Sequence, residues 1–461
     1  MESMPTIETD YADVEIRILQ REAKGYPIEI TLNDEQQYPR GYLQLNFLPW
    51  VSTASPADDG QRLFGWLLAD PKLGKAWAEI RGQTRRRRVR LRIDPEAPEL
   101  HPLPWELLRE VEPGSAPLDL AAAEATPFSR YLAGKWQPGS PVLKRPIRIL
   151  VAIANPEKLD RQGLTPIEGW DEWLALQQAV AGPGAELVPL PPPCSLARIE
   201  QELNKGYHVL HVLAHGSYAE EDRQAVLYLA DGQNQVTRVY DTEIAEMLAR
   251  QLADADIQQD DKLRLVFLAS CQTATRSPAD AFRGLAPQLV AAGVPAVVAM
   301  QDPVDKTTAR TFAGTFYQRL LEHGLVDLAA NQARSALLTA RLPGAAIPVL
   351  FMRLDTGRLF ADVKGGGVAA GGSESDYNLA AVRDLLLAAF TAADLRRLFL
   401  YSGNAELQPL TRQFSDGDGL EAMVEKTIQH CAKQGLFPDL LAEVQRANPR
   451  QYARFAGRKR E

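Results

Sequence analysis

Cysteine is scarce in this chain. Cys194, Cys271 and Cys431 are the only three in 461 residues. They lie too far apart in sequence to form a disulfide framework, which makes a reducing compartment the expected home. Long apolar runs are missing as well. No stretch approaches the roughly 20 apolar residues of a membrane span. The amino terminus, MESMPTIETDYADVEIRI, carries acids and no apolar h-region, so no signal peptide is expected. The expectation is a soluble cytoplasmic protein with no membrane partner. An excess of basic charge is also absent: 51 Lys and Arg stand against 59 Asp and Glu, a formal net charge of -8. Binding along a phosphate backbone needs a basic face, so nucleic acid is excluded as the main partner. One run goes the other way, Arg85 to Arg88 continued by Arg90 and Arg92. Because Val89, Leu91 and Ile93 alternate with arginines, the run reads as a strand with one wet, basic face.

What is present is ample material for several domains. Hydrophobic residues make up 45% and charged residues 24%, as in ordinary globular chains. From Val14 to about Ile93, short alternating runs (VEIRIL, IEITL, YLQLNF, VRLRI) predict a strand-rich unit. Within it, Gly60 to Ile80 has helical spacing with Leu63, Trp66, Leu67, Leu73 and Trp77 inward. Pro104 starts a further helix in LHPLPWELLRE. This unit, residues 1–140, carries no reactive constellation and is expected to cover or extend the sheet that follows. From Ile147 the pattern becomes apolar strands separated by helices: IRILVAI, ELVPL, YHVLHVLA, VLYLA, LRLVFLA, AVVAM and IPVLFM. Such alternation predicts an α/β domain, residues 141–362, with a mostly parallel sheet between two helical layers. A Gly-rich stretch over residues 363–375 reads as a flexible tether. Residues 376–461 have helical spacing throughout, with Thr391 and Asp416 or Asp418 as caps and Gly435 as a stop, which predicts a small all-α bundle. Cys431 falls on one of its helices and reads as packing.

Two strands of the α/β unit stop abruptly in small and polar residues. YHVLHVLAHGSY ends at His215 before Gly216, and LRLVFLASCQTA ends at Cys271 after Ser270. In an open parallel sheet, chemistry gathers beyond the carboxyl ends of the strands. A His and a Cys delivered there suggest a thiol nucleophile with its base. The spacing of His208, His211 and His215 would gather three metal ligands on a helix, but the surrounding valines and leucines mark a strand, on which the set comes apart. Neither a metal nor a cofactor is expected.

Several spaced motifs agree with one family. HVLHVLAHGS, LVFLASCQTA, GLAPQLVAAGVPAVVAMQDPVDKTTARTFAGTFYQRLLEHG and DLAANQARSALL resemble, in order, those of the CHAT proteases, which are caspase-like and separase-like cysteine peptidases. LRIDPEAPELHPLPWELL resembles the segment that precedes their catalytic core, and the likeness runs from about Leu91 to Phe360. The resemblance implies a caspase-type three-layer fold, with His215 and Cys271 as the dyad and the backbone amides of Gly216 and Cys271 as the oxyanion site. MQDPVDK is similar to the segment where separase-like members carry acids lining the specificity pocket. That makes Asp302 and Asp305 candidates to bind a basic side chain before the scissile bond; Asp305 could equally cap the helix that follows. Asp280 is a further candidate, with the same alternative. The tethered bundle resembles the death-like effector-associated domains of bacterial proteases and conflict-system switches. That implies homotypic binding to a matching adaptor domain on a partner. Together these imply a cysteine endopeptidase of a bacterial immune or programmed-death pathway, cleaving a protein substrate such as a pore-forming effector. The competing reading is a catalytically silent CHAT-like scaffold that signals by protein binding.

Overall fold

The computed structural model describes residues 11–53, 55–112, 114–132, 140–180, 184–219, 221–222, 224–269, 279–302, 304–361, 379–400, 407, 410–414, 418–434, 436–448 and 451–452. The chain divides into two compact units, Met1–Gly365 and Gly366–Glu461.

The first unit is built on one 12-stranded sheet. At its centre, Ile147–Ile153, Val209–Leu213, Leu265–Ala269 and Ala296–Met300 lie side by side and parallel, and Pro348–Met352 adds antiparallel to the last of them. Alternate residues of each strand enter different cores. Ile149, Val151, Leu265 and Phe267 pack with Phe312, Phe316, Val326 and Ala329 of the helices Lys306–His323 and Val326–Thr339. Leu150, Ala152, Val266 and Leu268 pack instead with the helices Leu196–Leu203, Asp241–Ala253 and Ala279–Ala291. Burial on both faces is why these strands read as unbroken apolar runs, and it produces the three layers expected of the α/β region. Each fully buried Leu, Val or Phe contributes roughly 1.5–3 kcal/mol of transfer free energy.

The amino-terminal strands extend this same sheet. Phe128–Tyr131 pairs in parallel with Pro348–Met352 on one side and with Arg87–Ile93 on the other, and Ala12–Ile18 and Tyr26–Leu32 follow outward. Three sequence expectations are corrected here. The apolar stretch around Gly60 to Ile80 forms two helices, Pro56–Leu67 and Pro71–Gln83. Asp70 caps the second by accepting from Lys72 N, and Pro71 occupies its first position, where a missing N–H costs nothing. The five inward residues are nonetheless all buried. VLYLA, within Gln224–Ala230, lies outside the parallel sheet. It is the middle of a separate antiparallel sheet, between His215–Ala219 and Val236–Tyr240.

The charged face of the arginine strand is largely covered, with Arg92 half-buried at its end. Arg88 and Arg90 are 5% and 1% exposed, because the strand is interior to the sheet and flanked by covering elements. Arg88 Nε donates to Asp327 Oδ2 at 2.6 Å and Arg90 Nη1 to Asp355 Oδ1 at 3.2 Å. A buried guanidinium is tolerated only with such partners. Alternation of charge with apolar residues is a sound signal of a strand, but it does not say what covers the charged side.

The second unit holds the helices Leu379–Ala389, Ala392–Leu400, Leu410–Gln413, Leu420–Gln434 and Phe437–Ala447. Val382, Leu386, Leu395, Phe399, Met423, Val424, Leu440 and Val444 form its core, and Cys431 is buried among them. Thr391 caps the second helix: its Oγ1 accepts from Asp394 N and donates to Asp394 Oδ2 at 2.6 Å. Asp418 pairs with Lys426 at 2.6 Å, and Gly435 lies outside the described residues. Among the described residues of either unit, no helix is long and apolar enough to cross a membrane.

Candidate active site

Three neighbouring strands end together at the carboxyl edge of the sheet. Register pairs Leu213 with Ile153 on one side and with Ala269 on the other. Backbone pairing continues one step past the strands, where Ala154 N donates to Leu213 O at 2.8 Å. After Ala214 the chain turns out of the parallel sheet at His215, the first residue of the strand His215–Ala219.

His215 is 3% exposed, and its Nε2 lies 2.7 Å from the carbonyl oxygen of Thr165. A carbonyl can only accept, so Nε2 carries the proton and Nδ1 keeps its lone pair. Burial lowers the pKa of the ring below the usual histidine value, and the Thr165 hydrogen bond partly offsets that. The ring is therefore neutral near neutral pH. Among the described residues no partner is seen at Nδ1, and an imidazole nitrogen that keeps its lone pair can accept a proton.

The other two histidines of the motif have separate structural partners. His208 Nδ1 accepts from Arg148 N at 2.8 Å, and its Nε2 donates to Asp260 O at 2.7 Å. His211 sits inside Val209–Leu213, stacked on Phe267 at 4.8 Å, with Nδ1 2.9 Å from the Tyr317 hydroxyl. Complete burial pushes its pKa down to about 3, so it stays uncharged. A cavity of about 30 Å³ lies beside it, lined among others by Phe267 and by the last residues of three strands, Leu213, Ala269 and Met300. Roughly one water fits a space of that size.

Cys271, the expected nucleophile, lies outside the described residues, which stop at Ala269 and resume at Ala279. Gly216 is buried and pairs with Leu227 across the small antiparallel sheet. Asp302 is exposed and follows the strand Ala296–Met300 by two residues. Asp305 caps Lys306–His323. Its Oδ1 accepts from Thr308 N at 3.0 Å and its Oδ2 from the Thr308 hydroxyl at 2.6 Å. Those bonds hold its carboxyl below the ordinary aspartate range. Asp280 is the second residue of Ala279–Ala291.

Sequence reading missed Thr165. A backbone acceptor leaves no mark on residue type, and only the return of residues 155–168 over the strand end brings it to His215. Asn155 was missed for a different reason. An Asn after a strand is a usual turn residue, and what its amide holds becomes visible only in three dimensions.

A buried, singly oriented histidine thus stands at the carboxyl edge of a sheet covered by helices on both faces. The CHAT domain matches residues 57–346. That is well over half of the sequence, and the chain belongs to the CHAT family, a family of cysteine proteases. No curated protein matches the sequence. Among solved structures, the chain is similar to the Arg specific cysteine proteinase gingipain R (11% identity, 59% of this chain and 63% of that chain covered, TM-score 0.36). It is similar to the Saccharomyces cerevisiae separase of a separase-securin complex (13% identity, 58% and 16% covered, TM-score 0.33). The Drosophila initiator caspase Dronc shares 12% identity, with 50% and 94% covered and a TM-score of 0.27. The chain thus spans less than two thirds of the gingipain and separase chains, and likenesses at this level bear on no detail of the site.

Proposed function

We propose that this protein is a cysteine endopeptidase using Cys271 as nucleophile and His215 as general base. The observation that carries the reading is the shared register of two adjacent parallel strands. Leu213 and Ala269 are paired, and in sequence His215 and Cys271 each follow by two residues. In the proposed reaction the Cys271 thiol gives its proton to His215 Nδ1 as sulfur bonds to the peptide carbonyl carbon. The amides of Gly216 and Cys271 hold the resulting oxyanion. Collapse breaks the C–N bond, and the leaving amine takes the proton from His215. Water, deprotonated by the same ring, then releases the acyl group and restores the thiol.

Asp302 with Asp305 favours a Lys or Arg side chain before the scissile bond. Both Asp305 oxygens also accept from Thr308. Asp280 is a secondary member of this acidic set. The substrate is a protein, such as a pore-forming effector, within a bacterial immune or programmed-death pathway. Recruitment runs through the carboxy-terminal bundle, which acts as a death-like adaptor for a matching domain on a partner. The resemblance of its opening and closing helices to effector-associated domains supports this. A library of labelled peptides varied at the residue before the cut tests the pocket. Lys and Arg peptides are expected to be cleaved at least about 10-fold faster than acidic or apolar ones, the scale of an unscreened charge pair worth 1.4 kcal/mol. Preference for acidic or apolar residues overturns the roles of Asp302 and Asp305, and no cleavage of any peptide favours the silent scaffold.

A further inference from the structure

The carbonyl that orients His215 belongs to a loop whose two ends are joined by one side chain. Residues 155–168 leave the carboxyl end of Ile147–Ile153 and return to start the helix Gly169–Ala179. At the two ends of this loop, the Asn155 amide grips the backbone of Ile167 through both its N–H and its carbonyl. Its Nδ2 donates to Ile167 O at 3.2 Å, and its Oδ1 accepts from Ile167 N at 3.1 Å. Thr165, whose carbonyl meets His215 Nε2, lies two residues before Ile167.

The rest of the loop is anchored elsewhere. Glu157 N donates to Asn234 O at 2.8 Å, and Val236 N to Glu157 O at 3.1 Å, which joins the outgoing limb to the small antiparallel sheet. Leu159 and Leu164 pack on Tyr228, and Tyr228 is the cross-strand partner of His215. These contacts fix the middle of the loop against the sheet that carries the histidine. The returning limb, which presents Thr165, is fixed at its far end by Asn155. The clamp starts one residue past Ala154, whose N–H is bonded to Leu213 O. The frame therefore runs from the strand that leads into His215, through the adjacent strand end and the Asn155 amide, to the carbonyl that sets the ring's tautomer.

We propose that Asn155 is a positioning residue for the histidine: by holding the backbone N–H and carbonyl of Ile167 it keeps the Thr165 carbonyl on His215 Nε2 and leaves Nδ1 as the basic nitrogen. The side chain of Asn155 is exposed, so its removal leaves no core cavity. Without the clamp, the Thr165 carbonyl loses its fixed distance, and the proton of a neutral imidazole redistributes between its two nitrogens. A population carrying the proton on Nδ1 cannot accept from a thiol at that atom. This inference rests on the dyad reading for its kinetic consequence, but its structural part stands apart from activity.

The test uses the full chain with ¹⁵N-labelled histidine, of which there are six, and a His215→Gln variant to assign the signal. The wild type is expected to show His215 as a single Nε2–H tautomer. Asn155→Ala is expected to show averaged ring nitrogens, with kcat down about 10-fold and KM unchanged, on the scale of a mispositioned base. Asn155→Asp keeps the acceptor for Ile167 N and loses the donor, so it should fall between. Unaltered fluorescence unfolding midpoints establish that both variants are folded. A folded Asn155→Ala with the wild-type tautomer overturns the inference whatever its activity. If the wild type cleaves nothing, the dyad reading fails and the tautomer comparison still decides the clamp.

Discussion

Replacing Cys271 by Ala is expected to reduce peptide cleavage by about 10⁴-fold or more while leaving the fold and any binding through the carboxy-terminal bundle unchanged. Removing a nucleophile removes the covalent route altogether, and what remains is whatever the oxyanion site and substrate binding achieve with water. The other two cysteines cannot substitute. Cys194 is buried in the core beneath Leu150 and Leu210, and burial pushes its thiol up to about 12, so it holds essentially no thiolate at neutral pH. Cys431 is buried in the core of the second unit. Turnover of a Lys- or Arg-containing peptide by the two proteins, at matched concentration, measures the difference. Cleavage by the variant at a rate near that of the wild type would remove Cys271 from the mechanism.

Glu106→Ala is expected to destabilise the first unit by about 3–5 kcal/mol. Arg130 stands in the strand Phe128–Tyr131, which links the amino-terminal strands to Pro348–Met352. Its Nε and Nη2 donate to the two Glu106 oxygens at 2.9 and 2.6 Å, a paired geometry with both side chains almost wholly buried. Removing the carboxylate strands the guanidinium inside the protein. The carbonyls of His101 and Leu103, which it also meets, satisfy only part of its donors and none of its charge. Glu106→Gln, which keeps an acceptor, should cost less. All seven tryptophans precede residue 174, so tryptophan fluorescence in urea reports on the first unit alone. A shift below about 1 kcal/mol for Glu106→Ala would mean that water reaches the pair.

Much of this architecture is readable from residue type because the physics is local. Runs such as IRILVAI and LRLVFLA announce strands covered on both faces. The arginine strand shows where locality fails. Val89, Leu91 and Ile93 identify the strand, but whether Arg88 faces water depends on Asp327, 239 residues away, and no local pattern carries that. The site divides in the same way. His215 stands out by its place at a strand end, whereas its hydrogen-bond acceptor is a backbone carbonyl and the support of that acceptor an exposed Asn. Neither has a chemical signature of its own. Asp305 could be read as a cap or as a pocket acid, and the Thr308 bonds make the cap an observation.

The most direct measurement of the central claim is covalent trapping. The full chain is treated with a thiol-reactive peptide probe carrying a basic residue before its warhead, and the modified cysteine is located by mass spectrometry. A single adduct at Cys271, lost when His215 is replaced by Gln, is the result this account predicts. An unmodified Cys271, or an adduct that forms as readily without His215, would contradict it.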